Sequence, residues 1–174
     1  MCFRKRNNAV TYEEYLKMFS ENKKTYDYSD HIDYTGKLNN HEDYLKMLDI
    51  LEKKTAYIEI AYKNEIVKKF KKDITHKEYT VSWFSETSYP GADLYRITAS
   101  KELFEFLKKY ETFCKYIVGG KTIHGYTQDL VEETDFGISD IGFFDKDNKI
   151  LLDTTTHEGF INVDKDIDKL FNKK

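Results

Sequence analysis

The spacing of apolar residues first changes near residue 55, from a helical period to a strand period, and that change constrains the fold more than any other feature of the chain. Before it, apolar side chains recur at intervals of three and four: Tyr12, Tyr15, Leu16 and Phe19, then Tyr44, Leu45, Leu48 and Leu51. Each series lays a stripe along one side of a helix. From Ala56 the interval becomes two, with Ala56, Ile58, Ile60 and Tyr62 alternating with Tyr57, Glu59 and Ala61. That is a strand with one strongly apolar face. A chain carrying both patterns has to pack helices on a sheet.

Capping residues fix where the helices start. Thr11 and Glu14 form a capping box, and Asn40, Asn64, Ser100 and Asp164 each stand just before an apolar-periodic run. Residues 23–38 lose periodicity, and a loop of that length in one domain is either functional or partly mobile. Tyr79, Val81 and Trp83 give a second strand, residues 85–91 a loop holding the only proline, Pro90, and Tyr95, Ile97 and Ala99 a third strand. Leu103, Phe106, Leu107, Tyr110, Cys114 and Ile117 predict one long helix from Ser100 to a stop at Gly119-Gly120. Residues 138–144 and 149–155 read as a hairpin and 160–163 as a short strand. A terminal helix then carries Ile167, Leu170 and Phe171. Strands arriving in hairpin-like pairs favour antiparallel pairing. The expected fold is therefore an α+β two-layer sandwich: a mainly antiparallel sheet of about five strands with helices packed on one face. The chain reads as a single globular domain, 1–174, with residues 1–54 as an N-terminal helical arm packed on it.

A chain of 174 residues buries enough surface to need no metal or disulfide staple. Its 28 Lys and Arg against 31 Asp and Glu leave a net charge of −3, which disfavours nucleic acid as a partner. No run of about 18 apolar residues exists, so no membrane association is expected. The basic start, residues 1–6, lacks the apolar stretch of a signal peptide. Two cysteines, Cys2 and Cys114, give no disulfide framework. These features read as cytoplasmic, and the Lys-, Asn-, Tyr- and Ile-rich composition as a low-GC bacterial genome or its phages. The 14 Tyr and 12 Phe place many rings at the edge of the core or outside it, where they suit protein recognition.

Two motifs fail on inspection. Gly119-Gly120-Lys121-Thr122 ends like a phosphate loop, but Lys115 stands where its first glycine belongs and a helix precedes it. Asp145-Lys146-Asp147-Asn148-Lys149-Ile150 begins like a calcium loop, but Ile150 occupies the sharp-turn position, so a hairpin turn is expected. No spacing supports a zinc site, even counting Glu132, Glu133, Asp135 and Asp140, and no metal or other cofactor is expected. His31 and His41, beside carboxylates in or next to the long loop, read as solvated.

Two segments remain as candidate sites. The first is Thr154-Thr155-Thr156-His157-Glu158-Gly159, which closes an apolar strand. His157 there titrates near working pH, and with Glu158 it makes a candidate catalytic acid/base pair on a mount fixed by the sheet. The second is the strand end around Trp83, Phe84 and Tyr89. If Trp83 faces the core, Phe84 lies on the opposite face, and exposed rings of this kind anchor partner proteins.

The leading functional reading is a small intracellular protein-interaction module, an inhibitor- or immunity-type binder of another protein rather than an enzyme. The competing one is a hydrolytic or transferase enzyme centred on His157 and Glu158. A concave site with convergent polar groups separates the two.

Overall fold

A computed structural model describes residues 10–21, 26–38, 40–84, 86–114, 140–155 and 159–173, with short paired segments at 116–117, 122–123, 126–127 and 130–131. In chain order the described elements are α1 (Tyr12–Glu21), β1 (His31–Asp33), α2 (His41–Glu52), β2 (Tyr57–Ala61) and α3 (Glu65–Lys69). A 3-10 turn, Lys71–Asp73, leads into β3 (Ile74–Trp83), β4 (Glu86–Thr98) and α4 (Lys101–Leu107). Four two-residue strands follow: β5 (Tyr116–Ile117), β6 (Thr122–Ile123), β7 (Tyr126–Thr127) and β8 (Leu130–Val131). The chain closes with β9 (Ile141–Phe144), β10 (Ile150–Thr155), β11 (Phe160–Asp164) and α5 (Lys165–Phe171). Seven strands form one antiparallel sheet in the order β1-β11-β10-β9-β2-β4-β3, while β5 pairs with β8 and β6 with β7. No helix among the described residues is long and apolar enough to cross a membrane.

The fold is α+β with an antiparallel sheet, as the period change requires, but the sheet has seven strands rather than about five. One addition, β1, lies inside the aperiodic stretch. Its three residues pair with β11 through backbone groups, and Tyr34 N–H to Ile161 O at 2.8 Å and Lys165 N–H to Asp30 O at 2.8 Å continue the ladder on either side. A three-residue edge strand is too short to show alternation, so its sequence carries no period. Tyr34 and Leu38, from the same stretch, are buried in the main core.

Residues 86–91 of the segment expected as a loop belong to β4, and Ser85 lies outside the described residues. β2 pairs with β4 only over Leu94–Thr98, so around Pro90 the strand has β3 as its one neighbour. A proline without a donor is tolerated there. The ladder slips between Thr80/Ala92 and Ser82/Thr87, and Gly91 takes the slip at φ +94°, where a Cβ would lie 2.6 Å from Thr80 O. Only glycine fits that bulge.

The long helix expected from Ser100 ends at Leu107. Tertiary contacts override its stripe. Lys109 and Tyr110 N–H tighten to i−3 carbonyls, and Tyr44 O–H donates to Leu107 O at 2.6 Å, the carbonyl a continuing helix would use four residues on. Thr112 Oγ1 then donates to Leu38 O at 2.6 Å, and Phe113 packs edge-on against Tyr44 and Phe143. Asn40, Asn64, Ser100 and Asp164 all cap helices where the sequence puts them.

The main core lies between α2 to α5 and one face of the sheet. Tyr44, Met47, Leu48 and Leu51 of α2 meet Ile58 and Ile60 of β2, Phe143 of β9, Leu152 of β10 and Ile161 and Val163 of β11. Lys108 ties α4 to α2 through Asp49 at 2.9 Å and Glu52 at 2.8 Å.

Candidate functional site

Alternation sends every second strand residue to the sheet's other face, and there the register aligns an unusual row. Reading from β1 to β3, the paired positions are Asp33, Asn162, Asp153, Gly142, Glu59, Arg96 and His76. In a two-layer sandwich such a row faces water. Here Glu59 and Asp153 are buried, because a second, smaller apolar cluster covers them.

That cover starts at the β3–β4 connection, where Trp83 pairs with Glu86. Phe84 sits between them at φ +49°, a strained backbone for an aromatic residue and one that must be held by its surroundings. β3 lies three strands from β9, about 14 Å at ordinary strand spacing. Yet Trp83 Nε1–H donates to Asp140 Oδ2 at 2.8 Å, just before β9, and Phe84 lies over Gly142 within it. The end of the hairpin therefore folds back across its own sheet. A Cβ on Gly142 would meet Phe84 Cε1 at 2.5 Å, so the absent side chain is what admits the ring. Tyr26, Tyr28, Tyr57, Tyr62 and Phe144 complete the cluster.

The polar row is unevenly satisfied. Arg96 donates from Nε (3.1 Å) and Nη2 (2.7 Å) to Glu59 Oε1, and its guanidinium lies 4.1 Å over the Tyr57 ring, which stacks on Phe144 at 4.9 Å. Burial, with Glu59 adding to it, pushes the neighbouring Tyr26 phenol up. Lys149 holds Asp164 at 2.7 Å. Asp153 has no cation among the described residues. Asn162 Nδ2–H reaches its Oδ2 at 3.3 Å, and among the described residues Oδ1 is buried with no hydrogen bond of good geometry. Burial, and secondarily the Asp140 carboxylate, push Asp153 up to about 7, against the pull of Asn162 and the Tyr28 phenol. On the next row His31 donates from Nε2 to Ile150 O at 3.1 Å, and burial lowers its pKa. This face can hold and release a proton near neutrality, but it is closed.

The residues expected from sequence fall out as follows. Trp83 and Phe84 are 1% and 3% exposed, so the exposed ring expected at Phe84 is instead packed inward on Gly142. Tyr89 lies within β4, and its side chain is outside the described residues. His157 and Glu158 are also outside the described residues, immediately beyond β10. Thr154, at the end of that strand, is fixed by Ile141 N–H at 3.1 Å. The Asp145 segment is a hairpin turn, its Oδ1 accepting from Asp147 N–H at 2.8 Å and Lys149 N–H at 2.9 Å. Among the described residues no group of three or more His, Cys, Asp and Glu side chains is placed to hold a metal ion.

Open apolar surface lies on α1. The capping box forms as expected, Thr11 N–H to Glu14 Oε2 at 2.7 Å and Glu14 N–H to Thr11 Oγ1 at 3.2 Å, and the helix contacts β3 and β4. No residue of it is fully buried: Tyr12 is 61% and Leu16 46% exposed, with Tyr15 stacked between Tyr12 and Phe19. Neither the buried row nor this exposed stripe matches a known arrangement through relatives, since no family model, curated protein or solved structure matches the chain.

Proposed function

We propose that this chain is a protein-interaction module, an inhibitor- or immunity-type binder, and that it docks through α1. The carrying observation is that Tyr12 and Leu16 stay exposed on a capped helix with no buried residue, with Tyr15 and Phe19 half-buried beside them. A ten-residue helix is marginal on its own strength, and the exposed part of Leu16 adds little to the fold. Anchors at i, i+3, i+4 and i+7 are what a helix presents to an apolar groove on a partner. Glu13, Glu14 and Glu21 outnumber Lys17 beside the stripe, so the fitting occupant is a protein whose groove is rimmed with basic side chains.

A photo-crosslinking residue at position 16 tests this in lysate of the source cell. The expected result is a saturable adduct with one basic-grooved protein, competed by untagged chain and weakened by salt, and no such adduct from exposed Lys146. Adducts only with a second copy, or equal capture from both positions, would overturn the reading.

A hydrolytic or transferase site around His157 and Glu158 is the second reading. One observation favours it: Asp153, on the strand leading to them, exchanges its proton close to neutrality, as groups at catalytic sites tend to. Once an activity or ligand is in hand, His157→Ala and Glu158→Gln should lose it at unchanged stability. Retention in both variants removes this reading.

A further inference from the structure

Strands β10 and β11 hold Asp153 and Asn162 in ladder positions, and Asp140, one residue before β9, is held by its carbonyl, which accepts from Ala61 N–H at 3.0 Å, whereas Phe84 above them comes from a strained turn. Beside Asp153, Asn162 stands on β11, and Gly142 and then Glu59, engaged by Arg96, lie on the other flank. Asp140 lies just before β9, and Asp164, engaged by Lys149, and His31 lie one row away. Asp33 ends the row at the sheet edge. Above are the phenols of Tyr26 and Tyr28 and the uncharged rings of Trp83 and Phe84. Among the described residues Arg96 and Lys149 on this face are already engaged, and the Asp140 carboxylate acts on Asp153 in the same direction as burial. Asp140 is also the group that holds the Trp83 indole at 2.8 Å.

We propose that Asp153 is a proton-controlled latch: neutral, it lets Trp83 and Phe84 close over the sheet, and ionised beside Asp140 it loosens that closure. The ladder fixes the backbone of Asp153 and the Ala61 N–H bond that of Asp140, so two negative charges under an apolar cover cannot separate along the strands. Relief comes from above, by admitting water between the cover and the row. The turn is the part able to give, because Phe84 is held at positive φ only by what it packs against. The repulsion also acts on the carboxylate that anchors the indole. Acid therefore favours the closed face and alkali the loosened one, with the change centred near the Asp153 titration at about 7.

Trp83 is the only tryptophan, so its fluorescence reads the closure directly. Acrylamide quenching and emission wavelength should be followed from pH 5 to 9 on the full chain and on Asp153→Asn. The expected result is a rise in quenching and a red shift in wild type with a midpoint near 7, both absent in Asp153→Asn, which stays in the acid-like state throughout. If that variant does not fold, the carboxyl carbon of Asp153 and the Trp83 indole proton can be followed by NMR in the unmodified chain, where they should titrate together. A wild-type protein with no transition overturns the latch. So does a transition that persists in Asp153→Asn, or an indole proton that moves with a histidine instead, because the proton then belongs to another group.

Discussion

Gly142→Ala tests whether the hairpin end really closes the second face. A Cβ at this position would stand 2.5 Å from Phe84 Cε1 and 2.9 Å from Phe144 Cε2, well inside the roughly 3.5–4.0 Å at which carbon atoms pack favourably. Neither ring retreats easily. Phe84 is tied to Trp83, which is hydrogen-bonded to Asp140, and Phe144 is stacked on Tyr57. One added methyl in a filled core costs about 1–3 kcal/mol, and the backbone preference for Ala over Gly in a strand returns about 0.5–1 kcal/mol. With a contact as short as 2.5 Å the cost of the methyl falls at the upper end of its range, so the net loss is roughly 2–2.5 kcal/mol, which at an m-value of about 2 kcal/mol/M lowers the urea midpoint by roughly 1 M. Urea unfolding followed at Trp83 measures it. In a Phe84→Ala background the same methyl enters vacated space, so the double-mutant cycle should show positive coupling. An unchanged or raised midpoint for Gly142→Ala in the otherwise unmodified chain would refute the placement of Phe84.

Leu107→Ala should cost about 2–5 kcal/mol because Leu107 lies in the main core, and an unchanged melting temperature would contradict that. Arg96→Met should cost about 3 kcal/mol or more by leaving Glu59 buried without its partner, and a variant as stable as wild type would show that the pair contributes little. For Asp153 the folded pKa lies above the ordinary 3.8, so between about pH 4 and 7 the folded chain keeps a proton that the unfolded chain has lost. Stability from this group therefore falls as pH rises through that window and is flat above 7, a loss of up to about 4 kcal/mol. The difference in unfolding free energy between wild type and Asp153→Asn should run in that direction; a difference that is constant with pH would contradict it.

The main-core half of the fold was legible because it rests on local signals. The capping side chains at Asn40, Asn64, Ser100 and Asp164 placed the helix starts correctly. The second face was not, and for one physical reason. Glu59 in Ile58-Glu59-Ile60 and Asp153 in Leu152-Asp153-Thr154 occupy the alternate positions of their strands, which normally face water. What buries them is a cluster that includes Trp83 and Phe84, distant in sequence, brought over by a fold-back that Gly142 admits. A lone glycine inside Ile141-Gly142-Phe143 was the one available signal of a close approach. The early end of α4 was hidden in the same way, since the groups that end it, Tyr44 and Leu38, lie far upstream.

Leu16→Glu, measured for stability and for affinity on the same preparation, bears most directly on α1 as the docking element. The partner is the protein captured at position 16, titrated by calorimetry at physiological salt. Leu16 is 46% exposed, so its replacement should change unfolding free energy by no more than about 0.5 kcal/mol. As a central anchor it should cost binding about 2 kcal/mol or more, roughly thirtyfold in Kd. Unchanged affinity in a stably folded Leu16→Glu protein would contradict the account, as would a stability loss large enough to show that the stripe belongs to the core.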